Sequence, residues 1–312
     1  MKSILCDEHI DTFCDVMNFD KNEIEKIYIN PGRSANNSNY VFVANNESFL
    51  YRVPGEGTEL FSSREREALA YKLLKPLKLT DEVLYLDPNT GVKISKYYED
   101  SRIPDSDNLD ELKESMLLLK KLHKISVDFD YTDTLFDRVD RYRKFAADVE
   151  GDNFYLDGYD DYLEKYNCFK NYYSDKGTEL CFTHGDASIN NVLVTKEYDS
   201  PILIDLEFPA LADPISDVAE FCIDAEYRKD KILLMLEYYL ERKPTIEEEF
   251  YLIGLCATCG MMWYAWTAYK CAVTIENQQF IDFRDDYHQY LKEMIAELKK
   301  YELYNEVFQG NL

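Results

Sequence analysis

Between positions 25 and 97 the apolar residues come in short alternating runs, EKIYIN, NYVFVA, SFLYRV, EVLYL and GVKISKY, separated by turns rich in Asn, Gly and Asp. A period of two sends successive side chains to opposite faces, so each run predicts a strand with one buried side. One stretch breaks the alternation: SSREREALAYKLL spaces its apolar residues for a helix. PGEGTE opens no βαβ unit and reads as a turn, not a dinucleotide fingerprint. From about 109 onward the period lengthens, and LDELKESMLLLKKLHKI, FDRVDRYRKFAADV, DKILLMLEYYLERK, the apolar 247–273 segment and FRDDYHQYLKEMIAELKKYELYNEVF all predict helices. The expected fold class is α+β, with a small antiparallel sheet first and a larger, mainly helical part after it.

One segment departs from the helical part. NVLV (191–194) and PILIDL (201–206) are two β-rich runs joined by TKEYDS, which predicts a hairpin. Asp186 and Asn191 lie on the loop entering the first strand and Asp205 ends the second, so three oxygen-bearing side chains are expected at one edge of the hairpin. Oxygen donors of this kind suit Mg²⁺, which takes one or two carboxylates together with substrate phosphates. Asp186 is then left to orient a substrate hydroxyl and accept its proton, which is the chemistry of phosphoryl transfer. His184 is expected to brace the loop by hydrogen bonding.

Composition narrows the partners. A chain of 312 residues with 46% hydrophobic content can bury a substantial core, as one domain with two lobes or two packed domains. With 35 Lys and Arg against 60 Asp and Glu, the net charge of −25 repels a phosphate backbone and draws in a cationic small molecule. No nucleic-acid partner is expected. The N-terminal MKSILCDEHIDTFCDVM lacks the basic-then-apolar order of a signal peptide, and no window has the roughly 18 apolar residues of a membrane span. No membrane association is expected, and the eight scattered cysteines read as reduced thiols of a cytoplasmic protein. Cys256-x-x-Cys259 falls inside the apolar helical segment without a second ligand pair, and reads as core thiols.

The series HGDASINNVL, ILIDLEF and ADPISDVAEF resembles the catalytic core of the protein-kinase-like small-molecule kinases, which include choline/ethanolamine kinases and aminoglycoside phosphotransferases. LYRVPGEGTE, GVKISKYYED and LLKKLHKIS resemble bacterial choline kinases in particular. The resemblance covers nearly the whole chain after about residue 25, and implies a two-lobed fold with a nucleotide-binding lobe over 1–97. A helical lobe over 98–312 would carry the catalytic hairpin and the substrate pocket.

Position by position, the resemblance implies that Asp186 is the catalytic base and that Asn191 and Asp205 hold Mg²⁺ on the phosphates of ATP. Glu207 matches the second acid of the family's Asp-x-Glu; on a strand, two residues return it to the face of Asp205. Asp217 matches an acidic position that fixes the catalytic loop, although locally it also reads as a helix N-terminal acid. Arg52 stands where related kinases carry a phosphate-binding basic residue, and an arginine grips phosphate oxygens as a fork. Glu67 is its expected ion-pair partner, with Glu65 the competing choice. Lys96-Tyr97-Tyr98-Glu99 would offer backbone groups to the adenine. GRSANNSNYVFV would cover the phosphates, but carries Pro31-Gly32-Arg33 where paired glycines are expected.

Trp263 and Trp266 are three apart on an expected helix, and Tyr287 follows on the last one. Such a pair is commonly core packing. A quaternary ammonium, however, has no donor to offer and is recognised by aromatic faces. In choline kinases a similar Trp-x-x-Trp segment followed by an aromatic residue walls the choline pocket. The expected reaction is therefore phosphorylation of the hydroxyl of choline. The alternatives are a kinase for ethanolamine or another amino alcohol, an aminoglycoside kinase, whose substrates favour acidic walls, and a pseudokinase binding module, against which Asp186, Asn191 and Asp205 all being present argues.

Overall fold

A computed structural model describes residues 5–30, 37–55, 57–151, 159–274 and 278–309. The Pro31-Gly32-Arg33 turn lies outside them. By its contacts the chain forms two compact units, Met1–Ile103 with Asn191–Pro209, and Pro104–Asn190 with Ala210–Leu312.

The first unit is built on a five-stranded antiparallel sheet in the order β1-β2-β3-β5-β4. Its strands are β1 (Ile24–Ile29), β2 (Asn37–Ala44), β3 (Glu47–Pro54), β4 (Val83–Leu86) and β5 (Lys93–Lys96). Asn45 and Asn46, both at positive φ, turn β2 into β3, a backbone that asparagine tolerates. Alternation then divides β3: Phe49, Tyr51 and Val53 join the core on one face, where the tilted rings of Phe13 and Phe42 have centroids 4.4 Å apart. Arg52 points the other way, toward the side occupied by Glu67 of helix α2 (Arg64–Leu74), which Ser63 caps. No element is expected from the pattern before residue 25, yet helix α1 (Asp7–Met17) supplies Phe13 to this core.

The hairpin belongs to this unit. Strands β7 (Val192–Leu193) and β8 (Ile202–Leu203) pair antiparallel, Leu203 bridges to Thr80, and Val194 bridges to Arg102. The structure corrects the expectation of a strand through Asp205. Strand β8 ends at Leu203, Asp205 takes φ 62°, and the N–H of Glu207 donates to the carbonyl of Asp205 at 2.9 Å. A tight turn, not strand periodicity, brings Asp205 and Glu207 round to the same place.

The second unit is helical around α8 (Ile246–Val273), apolar on every side and buried almost continuously from Phe250 to Ala268. Thr245 and Glu248 form a capping box at its start. Around it lie α3 (Leu109–His123), α4 (Leu135–Glu150), α5 (Tyr159–Lys176), α6 (Pro214–Asp224), α7 (Lys229–Leu240), α9 (Gln278–Leu298) and α10 (Leu303–Phe308). A Cβ on Gly254 would lie 2.1 Å from the ring of Phe169, so the glycine is what lets α5 pack against α8. Helix α5 is not expected from the sequence pattern, α6 is anticipated only by the reading of Asp217 as a helix N-terminal acid, and the last expected helix is divided into α9 and α10. A two-stranded ribbon of β6 (Cys181–Thr183) and β9 (Ala210–Ala212) completes the unit. Cys256 and Cys259 are buried in α8, and all eight cysteines are unbridged. No helix among the described residues is long and apolar enough to cross a membrane.

Candidate active site

In the first unit, Arg52 is 3% exposed and both terminal nitrogens of its guanidinium are engaged. Nη2 donates to Glu67 Oε2 at 2.7 Å and to the carbonyl of Gly91 at 3.2 Å. Nη1 donates to Glu207 Oε1 at 2.9 Å and to Asp205 Oδ1 at 3.2 Å. Of the two glutamates left open by the sequence, Glu67 therefore pairs with Arg52, while Glu65 is exposed and bonded to Ser63. Burial, reinforced by the charge of Asp205, pushes the carboxyl of Glu207 up to about 7, against the pull of Arg52 and of Asn37, whose Nδ2 donates to it at 2.7 Å. Carboxylate oxygens of Glu67, Asp205 and Glu207 all lie within 4.8 Å of one another, a donor set that fits a hard, oxygen-seeking dication.

Lys93 was not singled out by the sequence. It is buried on β5 as the register partner of Arg52, with Nζ 3.8 Å from Glu67 and 2.9 Å from the hydroxyl of Tyr71, which also accepts the N–H of Asp205 at 3.1 Å. A lysine in a short strand reads as solvated until the fold encloses it. Asn191 closes a short 3₁₀ turn, Ile189–Asn191, and its carbonyl accepts the N–H of Ile204 at 2.9 Å, which fixes the hairpin's mouth. In the segment Lys96-Tyr97-Tyr98-Glu99, the N–H of Tyr97 is donated to the carbonyl of Ser48 at 2.9 Å, and the buried Tyr98 hydroxyl accepts the N–H of Glu82 at 3.1 Å.

In the second unit the loop after β6 carries His184, Gly185 and Asp186. Gly185 takes φ 76°, which a side chain would strain. Asp217, on α6, accepts the N–H of His184 at 2.8 Å and that of Gly185 at 3.0 Å, and its Oδ2 lies 2.9 Å from His123 Nε2. Burial acts to raise the carboxyl of Asp217, but His123 and these N–H groups together hold it below its ordinary value. The ring of His184 is fully buried and its Nδ1 accepts the N–H of Asp186 at 3.2 Å, a bracing contact within the loop. Asp186 itself is half-buried.

The aromatic residues also meet. Trp263 and Trp266 lie edge to face with centroids 5.5 Å apart, and Trp263 stacks on Tyr287 at 6.0 Å. The two tryptophans differ in setting. Trp263 is half-buried and donates its indole N–H to Glu220 at 3.0 Å, whereas Trp266 is buried against Phe280 and beneath the Lys270 ammonium. Burial, with the charges of Asp224, Asp186 and Glu220 after it, raises the Tyr287 hydroxyl above its ordinary value. Asp224 accepts bonds from Ser188 and from Asn190 Nδ2 of the loop. His123, Arg138, Glu220 and Asp224 have no role in the sequence reading, and only Glu220 and Asp224, three and seven residues after Asp217, had a helical spacing that placed them on its face.

The fold is that of the protein-kinase-like small-molecule phosphotransferases. A choline/ethanolamine kinase family protein of Mesorhizobium loti superimposes with a TM-score of 0.77 over 97% of each chain, at 19% identity. The choline kinase LicA of Streptococcus pneumoniae does so with a TM-score of 0.76 over 95% of this chain and 99% of that one, also at 19% identity. In sequence the chain is 23% identical to the LicA protein of Haemophilus influenzae over 245 residues, 75% of this chain and 90% of the relative. The sequence profile of the choline/ethanolamine kinase family matches residues 32–309, and the chain belongs to that family. It is a small-molecule kinase, a phosphotransferase with an alcohol group as acceptor.

Proposed function

We propose that the protein transfers the γ-phosphoryl group of ATP to the hydroxyl of choline in a Mg²⁺-dependent reaction. The observation that carries the choice of acceptor is the stacked pair Trp263 and Tyr287 in the field of Asp186, Glu220 and Asp224. Aromatic faces with anionic surroundings and few free donors suit a cation that has an apolar shell. Trp266 backs the wall and does not line it.

In this reading residues 1–97 form the nucleotide lobe, to whose unit the hairpin of 191–209 also belongs, and the rest of residues 98–312 carry the catalytic loop and the acceptor pocket. Asp186 orients the choline hydroxyl and accepts its proton as that oxygen attacks the γ-phosphorus. The bond from phosphorus to the bridging oxygen breaks, and ADP leaves. Asn191, Asp205 and Glu207 hold Mg²⁺, which supplies positive charge to the phosphate oxygens when bound. Arg52 keeps Nη2 on Glu67 and turns Nη1 from Asp205 and Glu207 to a phosphate when those carboxylates take the metal, and the backbone at Tyr97 and Tyr98 faces the adenine through groups other than the Tyr97 N–H. Asp217 and His184 keep the loop in register.

Ethanolamine is the second reading, because Asp224 offers an acceptor that its N–H donors can use. Phosphate transfer from Mg·ATP to a panel of choline, ethanolamine and an aminoglycoside separates the readings. Choline is expected to give the highest kcat/KM, and a higher value for ethanolamine or the aminoglycoside would replace it as the substrate.

A further inference from the structure

Four groups of the second unit are joined in one line of contacts: the indole of Trp263, the carboxylate of Glu220, the guanidinium of Arg138 and the carbonyl of Gly185. Trp263 Nε1 donates to Glu220 Oε2 at 3.0 Å, the other carboxylate oxygen pairs with Arg138 Nη2, and Arg138 Nη1 donates to Gly185. Glu220 is 2% exposed and Arg138 4%. Taking such a pair out of water is costly, and well-packed apolar residues in its place often do no worse for stability. The pair therefore calls for a reason other than holding the fold together.

Its placement gives one. Glu220 follows Asp217 by three residues on α6, so both carboxylates leave the same side of that helix. Asp217 takes the N–H groups of His184 and Gly185, and Glu220, through Arg138, takes the carbonyl of Gly185. One helix thus grips the loop next to Asp186 from its donor and its acceptor sides, and the same Glu220 holds the ring of Trp263.

We propose that Glu220 is a positioning residue for the acceptor: it fixes the ring of Trp263 and, through Arg138, sets that ring in register with the loop carrying Asp186. The inference rests on the reading of Trp263 as acceptor wall. Two physical effects follow from the bond. A half-buried indole loses rotational freedom when its N–H is held, so the cationic head meets a ring already in place. A carboxylate at the N–H edge also polarises the ring and strengthens the pull of its face on a cation. Glu220 thereby favours acceptors whose charged head lies over Trp263, and leaves the nucleotide side untouched.

A double-mutant cycle tests this on the full chain, with Glu220→Gln, Trp263→Phe and the pair combined. Glu220→Gln is expected to raise the choline KM about tenfold with the ATP KM within about twofold, and the combined variant to be no worse than Trp263→Phe alone. Multiplying effects in the combined variant, or equal rises in both KM values, would overturn the inference. Should Glu220→Gln fail to fold, Glu220→Asp keeps the charge and draws it back from the indole; it must show the same choline-selective rise, and an unchanged choline KM overturns the inference. A spectroscopic readout stands apart from turnover. The chain has two tryptophans, so Trp266→Phe leaves Trp263 as the sole indole. In that background Glu220→Gln must shift the emission maximum, and an unchanged emission overturns the link between Glu220 and Trp263. A wild-type protein that turns over neither choline nor ethanolamine overturns the functional reading alone.

Discussion

Arg52 and Glu67 face each other at 2.7 Å with both side chains almost wholly out of water, and Arg52 Nη1 is shared at the same time between Asp205 and Glu207. Removing the cation leaves three carboxylates together, with Lys93 beside Glu67 as the remaining positive charge among the described residues. Arg52→Ala is therefore expected to cost about 3–5 kcal/mol of stability. It should also lower kcat/KM for ATP by about 10²-fold while the choline KM changes less than about threefold. An unchanged ATP dependence would remove Arg52 from the nucleotide site.

Asp217 accepts two loop N–H groups and a histidine N–H with two oxygens. Asparagine has one oxygen, so Asp217→Asn leaves at least one buried donor unpaired, at about 1–3 kcal/mol. The loop carrying Asp186 then loses its register, and kcat is expected to fall by more than the KM of either substrate rises. Steady-state kinetics with thermal unfolding checks both; an unaltered kcat in a destabilised protein would make Asp217 a packing residue only.

The aromatic wall separates its two tryptophans. Trp263→Ala is expected to raise the choline KM by an amount worth about 1–2 kcal/mol and to shrink the preference over ethanolamine. Trp266→Ala is expected to lower stability by about 3–5 kcal/mol with selectivity largely kept, because that ring is buried between Phe280 and Lys270. The neutral shape mimic 3,3-dimethylbutanol separates charge from shape. Phosphorylation of it as efficient as that of choline would leave the cation–π argument without support.

A pH effect is expected where α8 begins. Arg242, by hydrogen bond and charge, with the N–H of Thr245, holds the carboxyl of Glu248 down to about 2 from 4.5. A depressed carboxyl pKa means that the ionised form is favoured by folding, so its stabilisation is present above about pH 4.5 and fades as the pH falls toward 2. The difference in Tm between the native chain and Glu248→Gln should be greatest near neutral pH and shrink in acid. A difference that grows in acid would reverse the sign of this account.

The sheet was legible because its strands alternate and their turns carry asparagine and glycine. So was the sequence from His184 to Asp205, where polar residues interrupt apolar ones with no packing reason. Asp205 and Glu207 were expected together for the wrong reason, since a positive φ at Asp205 cannot be read from strand periodicity. Helix α5 was hidden by its tyrosines, which carry no clean helical spacing of apolar and polar positions. Lys93, Arg138 and Glu220 were illegible for a different reason: a charged side chain announces burial only when its partner, 26 to 82 residues away, is brought beside it.

The account stands most directly on the product formed from choline and Mg·ATP by the native chain and by Asp186→Asn, followed by phosphorus NMR. The native chain is expected to yield phosphocholine and ADP in equal amounts. Asp186→Asn should do so at least about 10²-fold more slowly, with an unaltered circular dichroism spectrum. Absence of phosphocholine from the native reaction, or near-native turnover by a folded Asp186→Asn, would contradict it.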